Sequence, residues 1–387
     1  MGTWMRVWLS CVLLMFVVSP ASAAWQAKAT LPEARWGGAY VSDGDYLYYI
    51  GGGVDGDATS DLKDTVYRYD PALDTWDTMA PMPLALGQID AGRIGDKIYV
   101  PGGTDDPDVA GVVKTLYIYD ITDDAWTTGA SLPVANGLEG YAVTVIDGIL
   151  YVLGGYDYEV GSWSRKAYAY DPTKDSWETF PNDMTHGGWE LAAWSFGDDL
   201  YAAGGNNGSL VVDTATAETY DFETEAWDDG AMDDLPATAA AGADAEYGTA
   251  LDGFLLFLGG YGNLGQAKTA WSYDIDEDKW SADADLPQEF VYAEADCLDG
   301  VIYIAGGSDK SESAPHKLHY ALDTGGLCVG SAVPTTTTTS TTTTTTIPGT
   351  DDDDDDDDAA DDDDDDSSDD DDVSDDDDDD DDSGCGC

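Results

Sequence analysis

The chain alternates short β-prone runs rich in Tyr, Val, Ile and Leu with turns made of Gly, Asp, Asn and Pro, a pattern that predicts strands. Six of these apolar runs end in a double glycine. They are Leu47–Tyr48–Tyr49–Ile50 before Gly51–Gly52, Ile98–Tyr99–Val100–Pro101 before Gly102–Gly103, and Leu150–Tyr151–Val152–Leu153 before Gly154–Gly155. The other three are Leu200–Tyr201–Ala202–Ala203 before Gly204–Gly205, Leu255–Leu256–Phe257–Leu258 before Gly259–Gly260, and Ile302–Tyr303–Ile304–Ala305 before Gly306–Gly307. A second element, Tyr-Asp followed six residues later by Trp, recurs as Asp70 with Trp76, Asp120 with Trp126, Asp171 with Trp177, Asp221 with Trp227 and Asp274 with Trp280. The period is close to 51 residues. Self-similarity at such a period marks an architecture in which each repeat buries its faces against its neighbours.

This combination of double glycine, downstream tyrosine and later tryptophan resembles the kelch repeat, over about residues 25 to 327. The resemblance implies an all-β fold, a six-bladed kelch-type β-propeller with one four-stranded blade per repeat. The double glycines suit a strand end where backbone crowds or needs positive φ, and the repeated Trp reads as packing between blades. The sixth repeat has a third strand through Leu318–His319–Tyr320 but no Trp after it. Trp25 lies 51 residues before Trp76 and seven before Pro32, the offset that also separates Trp76 from Pro83 and Trp126 from Pro133. The N-terminal strand is therefore expected to complete the last blade and close the ring, removing open sheet edges.

The ends differ in character from this repeat region. Residues 1–23 carry Arg6, an apolar run and then Pro20–Ala21–Ser22–Ala23, as expected of a signal peptide cut before Ala24. The propeller is assigned to 24–330, a Thr-rich linker to 331–350 and a disordered polyaspartate tail to 351–387. Residues 351–382 hold 26 Asp in 32 positions, while the whole chain has 15 Lys and Arg and a net charge of −65. Nucleic acid is excluded as a partner by that balance. The tail attracts divalent cations diffusely, and no dedicated cofactor is expected. Asp55, Asp57 and Asp61 share one loop but lack a full calcium ligand series, so they read as an acidic turn. Cys297 and Cys328 either pair as one disulfide or stay separate buried thiols. The closing Ser383–Gly384–Cys385–Gly386–Cys387 resembles the opening of bacterial C-terminal sorting signals, leaving release, truncation and attachment through the terminal cysteines as alternatives. The expected location is the extracellular or cell-envelope surface, as a monomer.

Catalytic groups are scarce. Three histidines, His186, His316 and His319, lack metal-ligand spacing, and no nucleophile elbow or phosphate-binding glycine loop occurs. Kelch-type copper radical oxidases need a Tyr–Cys cross-link, and sialidase propellers need an arginine cluster; neither pattern is matched. The reading is a binding module for a protein or carbohydrate, and the alternative is a carbohydrate-active propeller enzyme of oxidase or glycosidase type. In a propeller the loops after each double glycine and after each Trp gather on one face. Arg35, Trp36, Tyr156, Tyr158, Trp163, Trp189, Glu190, Asn206, Asn207, Tyr261 and Tyr292 are the candidate ligand-binding residues, with Phe290 beside them. Trp36, Trp189 and Tyr292 have a second reading, as filling between inner strands.

Overall fold

The computed structural model describes residues 24–54, 61–105, 111–206, 216–236, 248–251, 254–259, 268–283, 285–309 and 315–324. The expected signal peptide, Thr-rich linker, polyaspartate tail, terminal cysteines and the loop from Asp55 to Ser60 lie outside the described residues, as do Asn207, Tyr261 and Cys328. The described strands form six antiparallel sheets, the blades of a β-propeller.

Blade 1 runs outward from the axis as Ala39–Ser42, Leu47–Ile50, Val66–Asp70 and Thr75–Met79. Blade 2 is Gly92–Ile94, Lys97–Pro101, Leu116–Asp120 and Ala125–Gly129. Blade 3 is Leu138–Ile146, Ile149–Asp157, Ala167–Asp171 and Ser176–Thr179, with the short strand Ser162–Trp163 paired to the far end of Ile149–Asp157. Blade 4 is Trp189–Phe196, Asp199–Asn206, Ala217–Asp221 and Ala226–Asp228, and blade 5 is Gly248–Leu251, Phe254–Leu258, Ala270–Asp274 and Lys279–Ala282. Blade 6 has Val291–Leu298, Val301–Ser308 and His319–Asp323, and its outer strand is Gln26–Ala27. The register is Gln26 opposite Ala321 and Ala27 opposite Tyr320. The N-terminal clasp expected from Trp25 is therefore present, and Trp25 itself is half-buried on the core between blades 5 and 6, as are Leu318 and Tyr320.

Alternate residues of each second strand face opposite joints, as strand geometry demands. Leu47 enters the core between blades 6 and 1, and Tyr48 enters the core between blades 1 and 2. The same alternation places Tyr99 with Leu150, Tyr151 with Leu200, Tyr201 with Leu255, Leu256 with Ile302, and Tyr303 with Leu47. Each joint thus has its own buried cluster. A sheet buried on both faces needs apolar residues at every position, which is why these runs lack polar alternation.

The double glycines connect one blade to the next. Gly52 donates its N–H to the carbonyl of Leu86 at 2.8 Å, Gly103 to Leu138 at 2.8 Å, and Gly155 to Gly188 at 2.8 Å. At Gly51, φ is +66° and a Cβ would come within 2.7 Å of the Leu86 oxygen, so a side chain is excluded twice over. In blades 3, 4 and 6 the second strand continues beyond its glycine pair, where the sequence pattern implied that it stops.

At four joints a tyrosine, an aspartate and a tryptophan form a clamp on the preceding blade. Trp126 Nε1 donates to the Ala80 carbonyl at 3.0 Å, while Asp124 Oδ1 accepts from the Ala80 N–H at 2.8 Å and from the Tyr119 hydroxyl at 2.6 Å. Trp177, Asp175 and Tyr170 grip Ala130 in the same way. Trp280, Asp278 and Tyr273 grip Asp233. The tryptophan therefore both packs and hydrogen-bonds between blades. Cys297 in blade 6 is disulfide-bonded, and its partner falls outside the described residues, as Cys328 does.

Candidate functional site

Among the described residues ten non-glycine residues have positive φ, and seven of them are Asp or Glu in tight turns. The remaining three, Gln88, Glu190 and Tyr292, have φ of 50°, 57° and 56° and occupy one equivalent position in blades 2, 4 and 6. Gly37 and Gly140 take that position in blades 1 and 3. All five stand 14 residues before the first glycine of their blade's pair. The left-handed turn aims their backbones around the axis. Gly37 donates to the Tyr292 carbonyl at 3.1 Å, Gly140 to Gln88 at 3.0 Å, and Ile89 to Gly37 at 3.4 Å. Within the ring of these positions, backbone hydrogen bonds thus link blades 6, 1, 2 and 3 at the channel mouth. Left-handed Gln, Glu and Tyr cost energy, and such strain concentrates at functional sites.

Directly inside this ring, carboxylates converge. A cavity on the axis is lined by Gln88, Asp90, Tyr141, Glu190 and Glu294, with Gly37 and Gly140 at its edge. It has about 20 Å³ for the centres of water-sized groups, room for one or two waters and too little for a sugar ring. Asp90 accepts two backbone N–H groups, Ala91 on Oδ1 and Val143 on Oδ2, both at 2.7 Å. Burial, with Asp296 across the axis, pushes its carboxyl up to about 7 against two lowering hydrogen bonds. Asp296 repeats the arrangement between blades 6 and 1, accepting from Ser42 N–H at 2.6 Å and its neighbour Cys297 N–H at 2.7 Å. Burial raises it to about 6.

Glu139 is buried at the rim, where burial pushes it up to about 7. It accepts from the Tyr158 hydroxyl at 2.9 Å and from the Gln88 amide at 3.1–3.2 Å. Among the described residues neither Asp90 nor Glu139 forms an ion pair with Lys or Arg. Also among the described residues, no group of three or more His, Cys, Asp and Glu has the geometry to hold a metal ion.

Aromatic rings frame this mouth. Trp36 and Tyr292 lie 5.8 Å apart between centroids, and Trp189 lies 6.5 Å from Tyr292. The Trp189 indole also covers Gly140, where a Cβ would meet Nε1 at 1.9 Å. In blade 3 the strand extension and Ser162–Trp163 form a lip whose tip is exposed Val160. Tyr156 packs against Tyr158 at 4.7 Å and Trp163 at 5.8 Å there.

The structure redistributes the residues expected on this face. Tyr156, Tyr158, Trp163, Trp189 and Tyr292 are half-buried around the mouth, and Asn206 pairs with Trp189 in blade 4. Glu190 is buried but lines the axial cavity. Trp36 is 7% exposed, its ring laid over Gly53, so filling between strands is its main role. Phe290 is buried in the joint between blades 5 and 6. Arg35, expected at the surface, is fully buried. Its guanidinium pairs with Glu33 at 2.7 Å, donates to Thr65 Oγ1 at 2.7 Å and stands over the Tyr67 ring, so it is committed to the fold and not to a ligand. Sequence reading missed Gln88, Asp90, Glu139, Tyr141, Glu294 and Asp296. Counting back 14 residues from each glycine pair marks the ring position and, two residues further on, Asp90 and Glu294.

A six-bladed ring with clamped joints and a side-chain-lined axial mouth defines a kelch propeller. The family model described as the KLHDC2/KLHL20/DRC7 Kelch-repeats domain matches residues 88–307, and the Kelch motif matches residues 37–83. The chain belongs to the kelch-repeat family. It is 30% identical over 278 residues to Kelch-like protein 36 of Bos taurus, covering 69% of this chain and 42% of that one. It is 35% identical over 164 residues to Kelch-like protein 35 of Mus musculus, covering 42% and 26%. The chain thus spans less than half the length of these relatives. A solved structure, "Structure of YjhT", shares the fold with a TM-score of 0.63 at 18% identity, covering 77% of this chain and 97% of that one.

Proposed function

We propose that this chain is an interaction module of the extracellular or cell-envelope surface, not an enzyme, and that its channel-mouth face holds a protein or glycan ligand. The observation that carries this reading is the aromatic frame, Trp189 and Tyr292 on one side and Tyr156, Tyr158 and Trp163 on the other, around buried carboxylates. Half-buried aromatics beside polar groups supply contact area at low entropic cost. Kelch membership supports a protein-interaction role. A glycan would lie across the face, since the axial cavity is smaller than a sugar ring. The surface location rests on the residue pattern of Met1 to Ala23 and on the Thr-rich and polyaspartate segments as a spacer.

The test is retention on surface-protein and glycan arrays. Trp163→Ala and Trp189→Ala each reduce retention of the ligand that the unaltered chain captures; unchanged retention refutes the site.

A further inference from the structure

We propose that the axial cavity is a receptor for a primary ammonium, the side chain of a lysine on a partner protein, whose alkyl stem lies along the aromatic rim at Trp189 and Tyr292. This inference rests on the interaction-module reading and names the chemistry of its partner.

Four observations converge. First, Asp90, Glu190 and Glu294 come from three different blades to line one cavity, and among the described residues Asp90 accepts hydrogen bonds from two backbone N–H groups. Two N–H donors leave lone pairs of a carboxylate unused. Burial, with a smaller contribution from the Asp296 carboxylate, holds Asp90 above the ordinary carboxylate range, and an ammonium beside it would lower that value.

Second, Tyr141 is 4% exposed and lines the same cavity, and among the described residues its hydroxyl makes no hydrogen bond of ordinary geometry. A phenol oxygen is an acceptor that an ammonium donor satisfies. Third, Gln88 and Glu190 hold left-handed conformations at the cavity edge. The fold thus keeps strain at the place where these side chains meet.

Fourth, size selects among cations. Room of about 20 Å³ accepts a group the size of water. A lysine ammonium is that compact, whereas the planar guanidinium of arginine is larger. The rim suits the rest of the side chain, because aromatic faces attract a cation and pack against methylenes. The charge balance favours the same partner, since this chain carries 80 Asp and Glu against 15 Lys and Arg. A free alkyl amine has the same head group, and the experiment separates it from a protein segment.

The tripeptide acetyl-Gly-Lys-Gly-amide is titrated calorimetrically into the full chain, at physiological ionic strength and a pH above the range where Asp90 titrates. The polyaspartate segment contributes equally in every variant, so differences report the mouth. Binding weakens by on the order of 10-fold in Asp90→Asn, as expected for losing a charge-assisted hydrogen bond. Glu294→Gln repeats the test without disturbing the N–H groups on Asp90, and melting temperature checks that both variants fold. The acetyl-lysine and arginine peptides bind at least about 10-fold more weakly than the lysine peptide.

Equal binding by both variants overturns the proposal, and so does equal binding of the arginine peptide. Cadaverine binding as tightly as the peptide overturns the assignment to a protein partner. Loss of array retention in Trp189→Ala with unchanged peptide binding in Asp90→Asn leaves the module standing and sinks the lysine receptor alone.

Discussion

The indole Nε1 of Trp76 donates to the carbonyl of Ala29 at 2.8 Å, joining the outer strand of blade 1 to the segment that follows the N-terminal clasp strand. Asp74 Oδ1 takes the Ala29 N–H at 2.7 Å and the Tyr69 hydroxyl at 2.7 Å. His319 adds a third contact, with Nδ1 3.1 Å from the same carbonyl. The joint that closes the ring is therefore the same clamp that joins blades 1 to 2 and 2 to 3, reinforced by a histidine.

The clamp aspartate is expected to be worth more than a surface residue. Asp124 accepts two hydrogen bonds in a left-handed conformation with φ of 49°. Asp124→Ala loses both bonds and strains the backbone, costing about 2–4 kcal/mol. Asp124→Asn keeps an oxygen and tolerates that conformation, and costs less than half as much. Urea unfolding of the two variants measures the difference; equal losses would mean that the carboxylate charge, not the geometry, matters.

The joint between blades 3 and 4 departs from the pattern. Pro181 stands where Ala80 and Ala130 stand, and it has no N–H to give. Glu225 replaces the clamp aspartate, and the buried Trp227 Nε1 has no hydrogen-bond partner among the described residues. Phe180 fills the gap, 4.4 Å from Tyr220, and Asn182 donates to the Glu225 carbonyl. Combining Pro181→Ala with Glu225→Asp restores donor and acceptor, so the double variant exceeds the sum of the singles by about 1 kcal/mol. Chemical denaturation of the four-variant cycle reads this coupling, and strict additivity would show that the clamp does not form.

Acid acts on closure through His319. Burial lowers its pKa to about 4, and it stays neutral with Nδ1–H donating to Ala29 and Nε2 accepting from the Tyr40 hydroxyl at 3.0 Å. The folded value lies below the ordinary histidine value, so the unfolded chain takes up the proton first. This contribution is complete above about pH 6.5 and is lost as pH falls towards 4. An NMR titration finds His319 titrating near 4, and a midpoint near 6.5 would place its ring in solvent.

The carboxyls at the channel mouth act in the opposite sense. Glu139 and Asp90 have folded values raised to about 7, so their contribution is complete below the ordinary carboxylate range and is lost as pH rises through 7. Glu139→Gln removes one such group while keeping an oxygen for the Tyr158 hydroxyl. Its stability is expected to fall less steeply between pH 5 and 7 than that of the unaltered chain, by up to about 3 kcal/mol. Thermal or urea unfolding across that range decides it, and parallel curves would place Glu139 in water.

The Trp189 indole fixes what can stand beneath it. Gly140→Ala places a methyl group where Nε1 and Cδ1 lie, within 2.0 Å, at a φ of +58°. The ring is expelled, with a stability loss of about 2–4 kcal/mol. Crystallography of the variant shows a displaced indole, whereas an unmoved one would contradict the packing.

Sequence alone determined the propeller, its six blades and its clasp. The double glycine and the Tyr-Asp-Trp set recur because most joints need the same backbone approach and the same clamp, and a demand repeated at a fixed spacing is visible along the chain. Trp25 was legible as the missing copy for that reason. Tertiary structure alone decided the mouth. Asp90, Tyr141, Glu190 and Glu294 lie in different repeats with nothing local to join them, and they meet because the ring brings the first residues of the inner strands to the axis. Burial was equally invisible beforehand. Arg35 and Trp36 are neighbours of the same loop type as Trp189, and only the packing of Glu33, Thr65, Tyr67 and Gly53 around them removes them from the exposed face.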